Sequence, residues 1–146
     1  MSNEEVVRRY WEAHRTGDLD AESALRHPDW FAEYPQLRER IRGDANQRAI
    51  IEHYPGGPPR PSEAVRIVGT EDRYVVTPAY TVERIVGDGD AWWADGTAIY
   101  PDGSLWYFVV MMELRDGLVA RETAFYAAPM ETPAWRLPWI ERMDPS

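Results

Sequence analysis

The chain has 146 residues, 44% of them hydrophobic, which is enough for one domain with its own core, and we expect a single domain over residues 1–146. It contains no cysteine and all 16 basic residues are arginine, which excludes disulfides, thiolate nucleophiles and lysine Schiff bases. The formal net charge of −9 argues against nucleic acids and anionic membranes as partners.

The N-terminus has the signals of a well-delimited helix. Ser2 and Glu5 are spaced as a capping box, and Gly17 is typical of the residue that ends a helix. Tyr10 and His14 lie four residues apart on one stripe of this helix, so their side chains are expected on the same face.

Two more helices and a strand follow along the chain. Asp18 or Asp20 is predicted to cap a short second helix, and DWFAEYP then reads as a strand. Asp44 and Gln47 are spaced as a second capping pair, opening a helix that Pro55 would close. The stretch PGGPPRPS is a predicted loop, since its prolines cannot donate backbone hydrogen bonds.

From residue 62 onward the pattern is one of long strands. The predicted strands are EAVRIV, RYVVTPAYTVERIV, AWWADGTAIY, SLWYFVVMMEL and LVARETAFYAA, separated by the turn signals GDGD, PDG and RDG. Strands joined by such short turns are antiparallel. Helices followed by an antiparallel meander predict an α+β domain.

The C-terminal tail PMETPAWRLPWIERMDPS contains Trp135 and Trp139. Large exposed aromatic side chains are costly in water. We therefore expect the tail to wrap back over the sheet, to close a pocket or to join a dimer interface.

Three segments, YWEAHRTGD, YPQLRERIRGDANQRAIIEHYP and RDGLVARETAFYAAPMETPAWRLPW, together with the order of elements, resemble SnoaL-like proteins of the nuclear transport factor 2-like superfamily. The resemblance implies N-terminal helices packed on a curved antiparallel sheet, forming a cone with an apolar internal pocket. Relatives include ketosteroid isomerase, limonene epoxide hydrolase, polyketide cyclases and members without catalysis. Homodimerisation through the convex face of the sheet is common among them, so a homodimer is expected here.

The resemblance also assigns positions in the pocket. Tyr10 occupies the position of the isomerase's oxyanion-hole tyrosine, whereas Tyr34 replaces its general base and Val110 its second acid. Steroid isomerisation by that pair of acids is therefore not expected. The acid that many relatives carry in the last strand is replaced by Ala124.

Alternation in the last strand separates Val119, Arg121, Thr123 and Phe125 from Ala120, Glu122, Ala124 and Tyr126. The resemblance places the second set inside the cone. Glu122 is then two residues from the vacated acid position, on the same face, and is predicted to take over its role. The same parity turns Trp106, Phe108, Val110 and Met112 inward from the strand before.

These inferences give two sets of candidate residues. The predicted catalytic residues are Glu122, Tyr10, Tyr34 and His14; the predicted ligand-binding residues are Trp30, Trp106, Phe108, Val110, Met112, Ala124, Tyr126 and Trp135. A carboxylate buried among apolar groups has a raised pKa suited to acid–base work. The alternative is structural, with Glu122 paired to an arginine or facing water.

The functional prediction is a protein that binds a small hydrophobic molecule, with acid–base catalysis of isomerase, cyclase or hydrolase type. The other class is a non-catalytic ligand-binding or dimerisation module of the same fold. No cofactor and no metal are implied, because the three histidines have no ligand spacing. The chain shows no signal peptide or transmembrane run, which predicts a cytoplasmic protein.

Overall fold

The computed structural model describes residues 1–53, 66–68, 74–76, 80–99 and 104–143. Its elements are α1 (Asn3–Thr16), α2 (Leu19–Ala24), β1 (Arg26–Tyr34), β2 (Glu39–Arg42), α3 (Asp44–Glu52), β3 (Arg66–Val68), β4 (Tyr74–Val76), β5 (Tyr80–Asp88), β6 (Ala91–Ile99), β7 (Leu105–Arg115), β8 (Leu118–Ala127) and a 3-10 helix (Ala134–Trp139). None of the helices in this part of the chain is long and apolar enough to cross a membrane.

The first helix begins and ends as predicted. The Ser2 side chain accepts from the backbone N–H of Glu5, and the Glu5 carboxylate accepts from the backbone N–H of Ser2, so the capping box is confirmed. Gly17 ends the helix in the left-handed conformation at φ 72°. Between these caps the buried stripe includes Tyr10 and Trp11. Local capping therefore delimits the helix that carries one wall of the internal pocket.

The third helix does not use its predicted cap. Asp18 does cap α2, but α3 has Gly43 at its N-cap position and no capping side chain among the described residues. The Asp44 carboxylate instead accepts hydrogen bonds from Ser23, Arg26 and Arg48. The predicted Asp44–Gln47 capping pair is therefore wrong, because donors from α2, from β1 and from the second turn of α3 itself take up the carboxylate. Pro55, the predicted helix end, and the loop PGGPPRPS lie outside the described residues.

The main sheet has six strands in the order β2-β1-β8-β7-β6-β5, and it is mixed rather than wholly antiparallel. β1 runs parallel to β8, while each other neighbouring pair in this sheet is antiparallel. The predicted α+β class and the antiparallel meander of β5 to β8 are confirmed. The parallel pairing of β1 with β8 was not predicted, because hairpin reasoning covers only consecutive strands and a long connection separates these two. Among the described strands the sheet is not closed, since β2 and β5 form its edges.

The long strand predicted over RYVVTPAYTVERIV is two strands, β4 and β5. Pro78 lies between them and has no N–H to donate to a ladder. β4 pairs with β3 in a separate two-stranded sheet. The predicted PDG turn lies outside the described residues. The RDG turn is confirmed: Asp116 and Gly117 join β7 to β8 with φ of 55° and 72°, as a tight right-twisted hairpin requires.

One face of the main sheet, here called the inner face, packs against the helices and forms the core. On β7 the inner residues are Phe108, Val110 and Met112, as the parity predicted. In β8 a bulge at Ala120 shifts the register, because Glu113 pairs with Arg121 but the next residue pairs with Val119.

The bulge changes the predicted faces of β8. Val119 is fully buried with the inner residues, although alternation assigned it to the face opposite Glu122. An extra residue in one strand breaks the period of two on which that assignment depended.

The C-terminal tail does not bury its tryptophans against its own domain. Trp135 is 71% exposed and Trp139 is 79% exposed, in and at the end of the 3-10 helix. The prediction that the tail wraps back over the sheet or closes the pocket is wrong for the single chain. Burial in a dimer interface stays a prediction.

Candidate functional site

An internal pocket lies between α1, β1, α3 and the inner face of β7 and β8. Its cavity is about 30 Å³, and it is lined by Tyr10, Trp11, His14, Glu22, Arg26, Trp30, Tyr34, Gln47, Val110, Glu122, Ala124 and Tyr126. A volume of this size holds about one water-sized group, whereas pockets for drug-sized ligands measure roughly 300–1,000 Å³. The walls must therefore move apart to admit a larger molecule.

Glu122 is held in this pocket by two hydrogen bonds to the same carboxylate oxygen. The Tyr10 hydroxyl and the Trp30 indole N–H each donate to Glu122 Oε2 at 2.8 Å. Both donors are only 2% exposed, Tyr10 on the buried stripe of α1 and Trp30 on the inner face of β1. The last strand, the first strand and the first helix thus meet at one carboxylate.

The second oxygen of the carboxylate, Glu122 Oε1, accepts no hydrogen bond from any described residue. Burial raises the pKa of Glu122, and this effect outweighs the lowering by the Arg26 charge and by the bonds from Tyr10 and Trp30. The carboxyl group is therefore anchored at one oxygen and available for a proton at the other.

Arg26 is a buried cation that organises the polar side of the pocket. Its Nε donates to the Tyr10 hydroxyl at 2.8 Å, Nη1 to Asp44 at 2.8 Å and Nη2 to Glu22 at 3.3 Å. The guanidinium also lies over the Trp30 ring, 4.2 Å from its centroid. Its side chain is only 4% exposed, so each carboxylate around it compensates a desolvated charge.

His14 pairs with Glu22 at the end of this network, its Nδ1 lying 3.1 Å from Glu22 Oε1. Burial lowers the pKa of His14, but the attraction of Glu22 and the bond to it outweigh burial and raise that pKa. Burial conversely raises the pKa of Glu22, and the charges of His14 and Arg26 lower it below its ordinary value. The two groups stabilise each other's charged forms.

The structure brings most of the predicted site residues together. Those that line the internal pocket are Tyr10, His14, Trp30, Tyr34, Val110, Glu122, Ala124 and Tyr126. Tyr34 and Tyr126 form an aromatic wall, with ring centroids 6.4 Å apart and nearly parallel planes. Burial raises the pKa of Tyr34 well above its ordinary value, so its hydroxyl keeps its proton.

Other predicted binding residues lie elsewhere. Phe108 stacks on Trp11 at 5.4 Å between centroids, and Met112 is core packing beneath the pocket wall. The Trp106 indole donates to Ser104 Oγ at 3.1 Å, near the start of β7. Trp135 is exposed on the tail, so placing it in the pocket was wrong.

Sequence reasoning missed Trp11, Glu22, Arg26 and Gln47. The predicted strand begins at Asp29, but β1 begins at Arg26, which is buried like Trp30 although the pairing with β8 is irregular between the two residues. Glu22 and Arg26 are four residues apart in the chain. That spacing between an acid and an arginine was the available signal for the buried pair.

No group of three or more His, Cys, Asp or Glu side chains in the described part of the chain is arranged to hold a metal ion.

No family model and no curated protein matches the chain. Among solved structures, an NTF-2-like protein of unknown function from Burkholderia xenovorans LB400 is 32% identical over 97% of this chain and 95% of its own, with a TM-score of 0.71. A putative ketosteroid isomerase from Kribbella flavida DSM 17836 is 25% identical over 98% and 90%, with a TM-score of 0.74. An LEH-like epoxide hydrolase from M. tuberculosis shares the fold alone, at 18% identity over 84% and 80%, with a TM-score of 0.59. The extent and identity of the first match place the chain in the nuclear transport factor 2-like (NTF2-like) family.

Proposed function

We propose that the protein binds a small, largely hydrophobic molecule in the internal pocket and that Glu122 moves a proton on it. The observation that carries this proposal is the asymmetric carboxylate, with Oε2 held by Tyr10 and Trp30 and Oε1 without a partner among the described residues. A base positioned in this way keeps its geometry while it gains and loses a proton.

The raised pKa of Glu122 supports the same role. A carboxylic acid whose pKa lies above its ordinary value binds a proton more strongly, so its carboxylate is a stronger general base. Isomerisation, cyclisation and water addition all use such a group. The isomerase and hydrolase names among the structural relatives are compatible with this chemistry.

Tyr10 is a positioning residue in this scheme. Its hydroxyl already donates to Glu122 and accepts from Arg26, so it holds the carboxylate rather than the ligand. Tyr34 is the better donor for a developing oxyanion, because its protonated hydroxyl lines the pocket and has no hydrogen-bond partner among the described residues.

The proposal is tested with cyclohexanone in heavy water, by following the loss of its α-protons with proton NMR. We expect the wild-type protein to accelerate exchange above the buffer rate and Glu122→Gln to lose the acceleration. Glu113→Gln is the matched control, since Glu113 lies on the opposite face of the neighbouring strand and is exposed. Equal exchange rates for wild type and Glu122→Gln would refute proton transfer by Glu122.

The small cavity favours a second candidate, a non-catalytic binding and dimerisation module. For this candidate we propose a homodimer formed through the outer face of the sheet, where Tyr107, Met111 and Phe125 are exposed together on β7 and β8. The exposed tail tryptophans add apolar surface that a second copy would cover. Both candidates use the same fold, and only the first requires Glu122 to titrate during turnover.

A further inference from the structure

Two polar atoms of the internal pocket are buried without a hydrogen-bond partner among the described residues. They are the indole Nε1 of Trp11 and the amide Oε1 of Gln47. Trp11 is only 5% exposed, stacked on Phe108, so the indole N–H is held away from bulk water.

Several neighbouring groups of the pocket are paired with one another, whereas these two atoms are buried without a partner among the described residues. Arg26 donates to Tyr10, Asp44 and Glu22, and Trp30 donates to Glu122. Buried donors and acceptors in native proteins are almost always paired, either within the protein or with water or ligand. An unpaired donor and an unpaired acceptor on residues that line one small cavity therefore indicate a bound group that pairs with them.

The chemistry of the two atoms defines that group. The indole nitrogen only donates and the amide oxygen only accepts. With the Gln47 amide oriented as in the structure, a ketone oxygen would satisfy Trp11 and leave Gln47 Oε1 unpaired, whereas an ammonium group would do the reverse. A hydroxyl satisfies both, because its oxygen accepts from the indole while its O–H donates to the amide oxygen.

The size of the cavity agrees with a group of one heavy atom. At about 30 Å³ it has room for one water-sized oxygen. Glu122 lines the same cavity, so a hydroxyl bound by Trp11 and Gln47 would share this pocket with the carboxylate.

We infer that Trp11 and Gln47 bind one hydroxyl oxygen, and that the pocket therefore selects alcohols over the corresponding ketones and hydrocarbons, with water as the other source of the same oxygen. This inference rests on the proposed binding of a ligand in the internal pocket. It does not require proton transfer by Glu122.

The test uses the indole N–H signals of nitrogen-15-labelled protein, in which the Trp11 signal is the one missing from Trp11→Phe. Cyclohexanol, cyclohexanone and methylcyclohexane are titrated separately. We expect cyclohexanol to move the Trp11 signal and to bind about tenfold more weakly to Trp11→Phe and to Gln47→Met, the loss of roughly one hydrogen bond. Trp92→Phe is the matched control, because the Trp92 indole donates to Gly89 outside the pocket.

A second measurement tests whether the hydroxyl oxygen bound by Trp11 and Gln47 is that of a water molecule. If the oxygen is that of water, the Trp11 indole proton of the ligand-free protein shows a cross-peak to a long-lived water, and this cross-peak disappears in Gln47→Met. Gln47→Met also tests the inference independently should Trp11→Phe fail to fold.

Two results would overturn the inference. One is cyclohexanone binding as tightly as cyclohexanol. The other is unchanged cyclohexanol affinity in Trp11→Phe and Gln47→Met, with no water cross-peak at Trp11. The Glu122→Gln variant separates this inference from the proposed function. If α-proton exchange depends on Glu122 but the Trp11 signal does not respond to cyclohexanol, the hydroxyl site is refuted and the proposed function stands.

Discussion

The hydroxyl of Tyr10 donates a 2.8 Å hydrogen bond to the carboxylate of Glu122, across 112 residues of sequence. The same hydroxyl accepts from Arg26 Nε at 2.8 Å. One side chain of the first helix therefore connects the buried arginine to the buried carboxylate, and a change at Tyr10 affects both charges.

Removing the Tyr10 hydroxyl is expected to raise the pKa of Glu122 further. In Tyr10→Phe the carboxylate loses a donor that favours its ionised form, while burial continues to favour the neutral acid. Carbon-13 NMR titration of the Glu122 carboxyl measures the shift. Tyr107→Phe, at an exposed position on the outer face, serves as the control and leaves this pKa unchanged. A lower Glu122 pKa in Tyr10→Phe would contradict the hydrogen-bond geometry.

Replacing Arg26 by methionine is expected to reduce the free energy of unfolding by about 3–5 kcal/mol, because Glu22 and Asp44 would lose the cation that compensates their partly or fully buried charges. Urea unfolding measures this loss. Arg84→Met is the matched control, since Arg84 pairs with Asp95 from a largely exposed position, and such pairs contribute about 0–1 kcal/mol. Similar losses in the two variants would show that Arg26 contributes no more to the free energy of unfolding than an exposed ion pair does.

The raised pKa of Glu122 has a defined effect on stability against pH. The folded state binds this proton more strongly than the unfolded state, in which the pKa of Glu122 is close to 4.5. The resulting stabilisation is complete below that pH and is lost as the pH rises through the higher folded pKa. We expect the free energy of unfolding of wild type, relative to Glu122→Gln, to fall from pH 4.5 upward.

Urea unfolding of both proteins over a pH series gives this difference directly. The charge of Glu122 also raises the pKa of His14, and this part of the difference likewise falls as the pH rises. A relative stability that rises with pH would mean that the pKa of Glu122 is lowered in the folded protein, and the proposed base would then lose its physical support.

The proposed homodimer is expected to dissociate when a charge is placed on the outer face. Phe125 is exposed on β8 in the single chain, so Phe125→Glu leaves the core intact and adds a buried charge only in the dimer. Sedimentation velocity is expected to show a dimer for wild type and a monomer for this variant. A wild-type protein that sediments only as a monomer would rule out the dimer.

The structural features that depend on interactions between residues close in sequence could be predicted from the sequence. The Ser2–Glu5 capping box and the Gly17 helix end depend on backbone groups within one turn, so residue type and spacing were sufficient. The Asp116–Gly117 hairpin is equally local, because Asp and Gly are among the few residues that adopt positive φ readily in a two-residue turn.

The site depended on contacts that no local pattern contains. Alternation turned Glu122 toward the pocket, but the bulge at Ala120 and the parallel pairing of β1 with β8 decided which residues lie beside it. Arg26 meets Tyr10 and Asp44 only because α1, β1 and α3 converge there, and no spacing in the chain signals this. Composition and periodicity thus determined that a helix-covered sheet forms. Tertiary packing alone decided which charges are desolvated together, since desolvation and pairing depend on distances between segments far apart in sequence.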